Sequence, residues 1–251
     1  MKKVIHTLTC VAILASSAMA DSARVEMGAG AWMQESKGSA SYTDGGADGS
    51  YVSSEKDSTE PYVWALIKHP VPILPNLRVE YVSIKDSGIA SGEFKDFDID
   101  PAPYTTLSYD VKQYDIIPYY NILDNTTWFT LDLGLDIKIV DASYNAAPTT
   151  GFSGYRDSMT FALPLLYARA RVEIQSTDIG LEADIKYITT GDSTVYDVRA
   201  KVDYTFDFTP AIQPALEVGY RVQKLDIDES DVDAKLDIEF SGFYAGLMLR
   251  F

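Results

Sequence analysis

The chain has 251 residues, of which 37 are acidic and 21 are basic, and its formal charge is −16. This acidic balance argues against nucleic acid and against an anionic membrane surface as partners. Cys10 is the single cysteine, so residues 21–251 cannot form a disulfide bond. The length suits one large all-β domain.

Residues 1–20 have the pattern of a secretory signal peptide. A short basic start (Met1–Lys3) precedes a mostly apolar run (Val4–Ala15) and a small-x-small cleavage site (Ala18–Ala20). The apolar run is too short for a membrane-spanning helix. Cys10 lies inside it, which favours an ordinary signal peptide over a lipid-anchored cysteine. We predict export and cleavage near Ala20.

Beyond residue 20, apolar residues alternate with polar or small residues in about ten segments, which is the period of a strand with two different faces. The fifth segment is the most regular, because every second residue from Phe129 to Ile139 is apolar. The fourth is the least regular, because Pro118 cannot donate to a strand ladder. The segments are residues 23–34, 62–68, 77–85, 105–123, 128–139, 159–175, 179–187, 196–208, 216–223 and 238–251.

The connections between the segments alternate in length. Residues 35–60, 86–104 and 141–157 lack periodicity and predict long loops. The connections after the second, fourth, sixth and eighth segments are short, and three prolines within residues 69–76, after the second segment, exclude a ladder there. Long external loops and short periplasmic turns are typical of outer-membrane barrels. We predict an all-β transmembrane antiparallel up-and-down β-barrel of about ten strands. Eight strands is the alternative, because the connection after the seventh strand is short.

Each predicted strand has one apolar and one charged face. On the fifth strand, Leu131, Leu133 and Leu135 alternate with Asp132 and Asp136. In a membrane barrel the apolar face contacts lipid, and the charges face the interior, where opposite signs can pair. The predicted interior charge network consists of Asp132, Asp136, Lys138, Arg169, Arg171, Glu173, Glu182, Asp184, Lys186, Asp197, Arg199, Lys201, Glu217 and Arg221.

Aromatic residues concentrate near strand ends and predict girdles at the two membrane interfaces. They include Tyr196, Tyr204, Phe206, Phe208 and Tyr220. The alternative is a secreted soluble sandwich with solvated polar faces. We favour the barrel, because the strands approach or exceed the ~9–11 residues that a tilted membrane strand needs.

The last segment resembles the C-terminal strand of bacterial outer-membrane barrels. Phe243, Leu247, Leu249 and the terminal Phe251 lie on one face. In those proteins the terminal Phe and the apolar residues before it act as an assembly signal. The resemblance therefore implies two partners, the outer-membrane assembly machinery and the lipid bilayer of the outer membrane.

Few residues suggest catalytic chemistry. His69 is the one histidine beyond residue 20, and it lies next to prolines in a predicted periplasmic turn. A hydrolase that uses histidine at the outer rim is therefore unsupported, as is a zinc site built from His and Cys. We predict that the protein is not an enzyme.

Two acidic clusters occur, one at Asp96, Asp98 and Asp100 and one between the last two strands. Neither follows the EF-hand pattern, because the sixth position is not glycine. We predict a solvated acidic surface and no cofactor. Residues 224–228 and 235–239 are near repeats that predict a hairpin. Weak Ca²⁺ or Mg²⁺ binding is the alternative for Asp226, Asp228, Asp231 and Asp233.

Residues 69–76, 28–32 and 113–115, together with Tyr119-Tyr120, are similar to an uncharacterised proteobacterial family of small outer-membrane barrels. That family has no settled activity, so the resemblance implies no catalytic residue. We predict a non-enzymatic barrel with acidic external loops and a lumen filled by side chains. A surface adhesin or receptor is one alternative, and its ligand stays open. The other is a narrow channel for small solutes or ions, lined by Asp132, Asp136, Arg169, Arg171, Arg199 and Arg221.

Overall fold

The computed structural model describes residues 23–44, 47–71, 73–94, 99–126, 128–148, 154–207, 209, 212–228 and 234–251. Among these residues, no helix is long and apolar enough to cross a membrane. The regular elements are β1 (Arg24–Asp44), β2 (Ala47–Ser53), β3 (Ser58–Lys68), β4 (Asn76–Phe94), β5 (Ile99–Thr126), β6 (Phe129–Ala146), β7 (Tyr155–Glu173), β8 (Ile179–Thr190), β9 (Ser193–Thr205), β10 (Gln213–Ile227) and β11 (Ala234–Arg250).

The strands form one closed antiparallel sheet. From β4 to β11 each strand pairs with the next in sequence, and β1 pairs with β11 to close the barrel. Strands β2 and β3 follow each other between the same two neighbours, β1 and β4, so the eleven strands occupy ten positions. The predicted ten-strand antiparallel barrel is confirmed, and the eight-strand alternative is wrong.

The strands are longer than the sequence pattern predicted. The predicted loop 35–60 is wrong, because β1 continues to Asp44 and β2 follows it. The predicted loops 86–104 and 141–157 are also largely strand. These segments hold few apolar residues, but their backbones are paired; β1, for example, stays in register with β11 up to Tyr42. Backbone pairing rather than side-chain alternation therefore defines them.

The polarity of the two faces inverts part of the way along the strands. On β6, Leu133 and Leu135 point outward and are exposed, whereas Asp132 and Asp136 are buried inside. Beyond Ile139 the outward residues are polar, and the inward ones are apolar and buried: Val140, Ala142 and Ala146. Neighbouring strands change at the same level, because Tyr81 lies opposite Tyr114, which lies opposite Ile139.

We call the outward apolar zone the belt and the part beyond the inversion the outer extension. The outer extension comprises residues 35–44, 47–53, 83–94, 99–112, 141–146, 155–160, 224–228 and 234–241. The belt carries an exposed apolar side chain at all ten positions, each 39–66 % exposed: Met33, Val63, Val79, Ile116, Leu135, Leu166, Ile185, Val202, Val218 and Leu247.

Inward glycines admit large aromatic side chains inside the barrel. A Cβ at Gly28 would lie 2.5 Å from Nε1 of Trp64, and one at Gly246 would lie 2.3 Å from the hydroxyl of Tyr62. Both rings are buried. The glycines are therefore required by close packing across neighbouring strands.

Replacement of Gly28 by Val is expected to lower the free energy of unfolding by about 1–3 kcal/mol, because the new side chain overlaps the Trp64 indole. Urea unfolding of the refolded protein, followed by tryptophan fluorescence, measures this. The matched control is Ala29→Val on the outward face of the same strand, where the side chain is exposed. Equal effects of the two substitutions would contradict the packing argument.

Candidate functional site

Buried charged side chains fill the interior at the level of the belt. Among the described residues, twelve carboxylates and nine lysines or arginines are buried. Thirteen of the fourteen residues of the predicted network are at most 5 % exposed: Asp132, Asp136, Lys138, Arg169, Arg171, Glu182, Asp184, Lys186, Asp197, Arg199, Lys201, Glu217 and Arg221. The fourteenth, Glu173, has a side chain 40 % exposed at the barrel end and contacts Arg171 at 2.7 Å.

Glu80 on β4 connects opposite walls of the barrel. Its carboxylate accepts hydrogen bonds from Arg78 at 2.5 Å, from Lys186 on β8 at 2.7 Å and from Arg199 on β9 at 3.1 Å. Strands β4 and β9 are five positions apart in a ring of ten, and are therefore diametrically opposed. These contacts cross the full width of the interior.

Two further carboxylates each contact several cationic side chains. Glu182 lies 2.6 Å from Arg169, 3.3 Å from Arg171 and 3.5 Å from both Lys201 and Arg78. The distances join carboxylate oxygens to side-chain nitrogens on β4, β7 and β9. Each buried cation thereby has a counter-charge, which is the condition for retaining charges away from water.

Asp197 on β9 is the second of these carboxylates. It accepts hydrogen bonds from Arg221 at 2.7 Å, from Gln223 at 2.8 Å and from Lys138 of β6 at 3.3 Å. Lys138 also lies 2.8 Å from Asp115 of β5. The network therefore continues from β10 through β9 to β6 and β5.

Aromatic side chains complete the interior around Glu217. This carboxylate accepts hydrogen bonds from the Tyr62 hydroxyl at 2.7 Å, from Trp64 Nε1 at 3.0 Å and from Lys201 at 2.9 Å. Lys201 and Arg78 also lie 4.5 Å and 4.8 Å from the centre of the Trp64 ring, in cation–π contact. The network is thus packed between rings as well as paired by charge.

Several interior charges were not part of the predicted network. Most of them lie on the polar face of a strand, opposite its apolar face, and the same alternation could have identified them. Asp115 is the exception, because the adjacent Ile116-Ile117 interrupts the alternation. The missed residues are Glu26, Glu60, Arg78, Glu80, Asp86, Asp115, Asp203 and Arg250.

The predicted C-terminal signal lies on the outward face of β11. Phe243, Leu247 and Leu249 are exposed within the belt. The backbone of Phe251 exchanges hydrogen bonds with Val25 at 2.9 Å and 3.4 Å, which continues the closure between the first and last strands. Recognition of these residues by assembly machinery stays a prediction.

Weak Ca²⁺ or Mg²⁺ binding at the acidic tip stays a prediction. Among the described residues, no group of three His, Cys, Asp or Glu side chains is placed to hold a metal. Asp226 and Asp228 are described, whereas Asp231, Asp233, Asp96 and Asp98 lie outside the described residues. The near repeats pair as predicted, with Leu225 opposite Ile238.

His69 lies in the turn between β3 and β4. Its Nδ1 accepts the Val71 N–H at 3.2 Å, and its Nε2 lies 3.0 Å from the Pro75 carbonyl oxygen. Both ring nitrogens are therefore used by the turn itself. The turn is at the barrel end opposite the outer extension.

Several solved β-barrels resemble this structure at low sequence identity. The outer membrane protease OmpT from Escherichia coli is 12 % identical, with 94 % of this chain and 99 % of that chain covered and a TM-score of 0.49. The translocator domain of autotransporter NalP from Neisseria meningitidis is 12 % identical over 100 % and 95 % of the two chains, with a TM-score of 0.43. Ail, the attachment invasion locus protein of Yersinia pestis, is 12 % identical over 92 % and 99 %, with a TM-score of 0.34.

These identities and TM-scores are too low to carry an argument about activity or location. No family model and no curated relative matches the chain. The resemblance to a particular family of small barrels therefore stays a prediction.

Two aspartates on β6 offer a direct test of charge pairing in the interior. Asp132 accepts a hydrogen bond from Arg169 at 2.7 Å and another from Asn121. Asp136 is equally buried, but neither of its carboxylate oxygens has a hydrogen-bond partner among the described residues.

We expect Asp132→Asn to destabilise the barrel by about 3–5 kcal/mol, because it breaks a buried ion pair. Asp136→Asn is expected to be neutral or stabilising, because it removes a charge that no hydrogen bond compensates. Urea unfolding of both variants in the same detergent measures the difference. Equal destabilisation by the two substitutions would refute the pairing scheme.

Proposed function

We propose that the protein is an integral β-barrel of the bacterial outer membrane, with a closed interior and no enzymatic activity. The belt supports insertion, because a continuous apolar zone around a barrel is stable only against lipid or a partner. Along β6 the belt extends from Phe129 to Ile139. At ~3.4 Å per residue and a tilt near 40°, this spans about 25 Å, the height of the apolar band in such barrels.

Aromatic side chains mark both edges of this belt. At the outer edge, Tyr81 packs against Tyr114 with ring centres 5.3 Å apart, and Tyr220 packs against Phe243 at 5.0 Å. At the opposite edge, Tyr204 packs against Phe206 at 5.2 Å. Amphipathic rings at these two levels suit the interfaces between hydrocarbon and water. Phe208, also predicted for a girdle, lies outside the described residues.

The interior contacts support a barrel that does not conduct solutes. The observation that carries this proposal is the pair of hydrogen bonds that Glu80 accepts from Lys186 and Arg199, since they join opposite walls. A solute would have to break several buried ion pairs to pass. A small barrel filled by side chains fits this geometry, whereas aqueous porins need about 16–18 strands.

The function then belongs to the outer extension, which presents polar and acidic surface outside the membrane. His69 cannot serve a reaction there, because it lies at the other end of the barrel. We propose that the outer extension makes contacts at the cell surface. We also propose that the protein is exported and then assembled into the membrane as a barrel. Residues 1–20, the proposed signal peptide, lie outside the described residues.

Planar-bilayer recording tests the closed interior. The refolded protein is expected to insert, as judged by heat-modifiable mobility on a gel, and to show no stable openings. Glu80→Ala removes the contact across the lumen and is expected to raise the frequency of brief openings. Stable openings of the unaltered protein would overturn the proposal. Brief openings of the unaltered protein as frequent as those of Glu80→Ala would also overturn it.

A further inference from the structure

A groove of about 630 Å³ lies on the outward face of the outer extension. Its floor consists of two rows across β4, β5 and β6. Lys85, Asp110 and Ser143 lie opposite one another in the first row, and Ser87, Ser108 and Asn145 in the second. The two rows lie four and six residues beyond the level of Tyr81 and Tyr114. At ~3.4 Å per residue with the same tilt, this places the floor about 10–15 Å outside the belt.

The wall of the groove is made by Lys56, Asp57, Ser58 and Glu60, in a segment whose pairing with β4 is interrupted. Pairing of β2 with β4 ends at Ser53 opposite Gly88, and pairing of β3 with β4 begins at Tyr62 opposite Val82. Residues 54–61 therefore lie across from the shorter stretch 83–87, and β3 separates from β4 here, while Ser58 to Pro61 stay paired with β1. Glu55 in this segment has φ of 54°, a left-handed conformation that is unusual for a residue other than glycine.

The groove offers hydrogen-bond donors and acceptors side by side. Lys85 Nζ donates to Glu60 at 2.9 Å and lies 4.0 Å from Asp110 Oδ2. The other carboxylate oxygen of Asp110 is buried without a hydrogen-bond partner among the described residues. Lys56, Asp57 and Arg156 also line the groove. The lining thus combines both charge signs with serine hydroxyls and an amide.

This lining fits a ligand rich in hydroxyl groups better than an ion. A hydroxyl donates one hydrogen bond and accepts two, so it uses carboxylates and ammonium groups equally. An anion would be repelled by Asp57 and Asp110, and an organic cation would be repelled by Lys56 and Arg156. In the described part of the chain, no cluster of acidic side chains is placed for a metal. The volume is within the ~300–1,000 Å³ typical of small-molecule sites.

The position of the groove agrees with this chemistry. The headgroup layer of a phospholipid leaflet adds only about 5–8 Å to each side of the hydrocarbon. A floor about 10–15 Å beyond the belt is at the height of sugars carried by a glycolipid, and soluble sugars also reach it. We propose that this groove binds a saccharide through its hydroxyl groups. The proposal rests on the insertion of the belt into the membrane as proposed above.

Refolded protein in phosphatidylcholine nanodiscs tests the groove with two probes. The first arm adds soluble mono- and disaccharides and follows binding by calorimetry. The second arm builds nanodiscs with purified lipopolysaccharide and measures how much stays with the protein after repurification. Binding in the first arm identifies free sugar as the source, and binding in the second alone identifies the lipid headgroup.

Ser108→Trp fills the floor of the groove and is expected to weaken saccharide binding at least tenfold. The matched control is Ser41→Trp, an exposed outward position on β1 in the same extension, which is expected to bind normally. Asp110→Asn is expected to weaken binding less than Ser108→Trp, because it retains one acceptor oxygen.

Three results would overturn the saccharide site. They are no binding in either arm by protein that has inserted, equal binding by Ser108→Trp and Ser41→Trp, and binding of inorganic phosphate in place of sugar. Insertion is scored separately by heat-modifiable mobility. A failure to insert therefore counts against the proposed function, while failure of inserted protein to bind counts against the groove alone.

Discussion

The structure depends on the pairing of opposite charges inside a cylinder whose outside is apolar. An isolated buried ion costs several kcal/mol, and only close counter-charges with further hydrogen bonds offset that cost. Glu80, Glu182 and Asp197 meet this condition, because each contacts at least three donor side chains, which come from two or more strands. Because each centre joins several strands, the barrel cannot shift its register without leaving charges unpaired.

The inversion of polarity divides the barrel into two parts, in which the apolar surface faces opposite sides of the wall. In the belt the hydrophobic surface faces outward, and the interior is ionic. In the outer extension the interior becomes apolar, with Tyr51, Tyr109 and Phe240 in contact, as in a water-soluble β-protein. Asp86 accepts hydrogen bonds from both tyrosine hydroxyls there, and burial raises the pKa of Tyr51 and Tyr109. The extension is therefore an ordered surface on which a ligand site can form.

The sequence predicted the belt well and the outer extension poorly, for one reason. Alternation identifies a strand when its two faces differ in polarity, as they do from Phe129 to Ile139. In residues 35–41 neither face holds a large apolar residue, so alternation is absent although the backbone is paired. The contacts that Glu80 makes across the barrel were also not predictable. Contact between opposite walls depends on the shear of the closed barrel rather than on spacing within one strand.

Spin labels at single cysteines along β6 test most directly whether the belt faces lipid while the charges face inward. Residues 21–251 contain no cysteine, so each label reports one site. Labels at Leu133, Leu135 and Ile137 in bilayers should be relaxed strongly by oxygen dissolved in lipid and weakly by a water-soluble nickel chelate. At Asp141 and Ser143 the order should reverse. Relaxation of the first three positions by the nickel chelate would contradict the account.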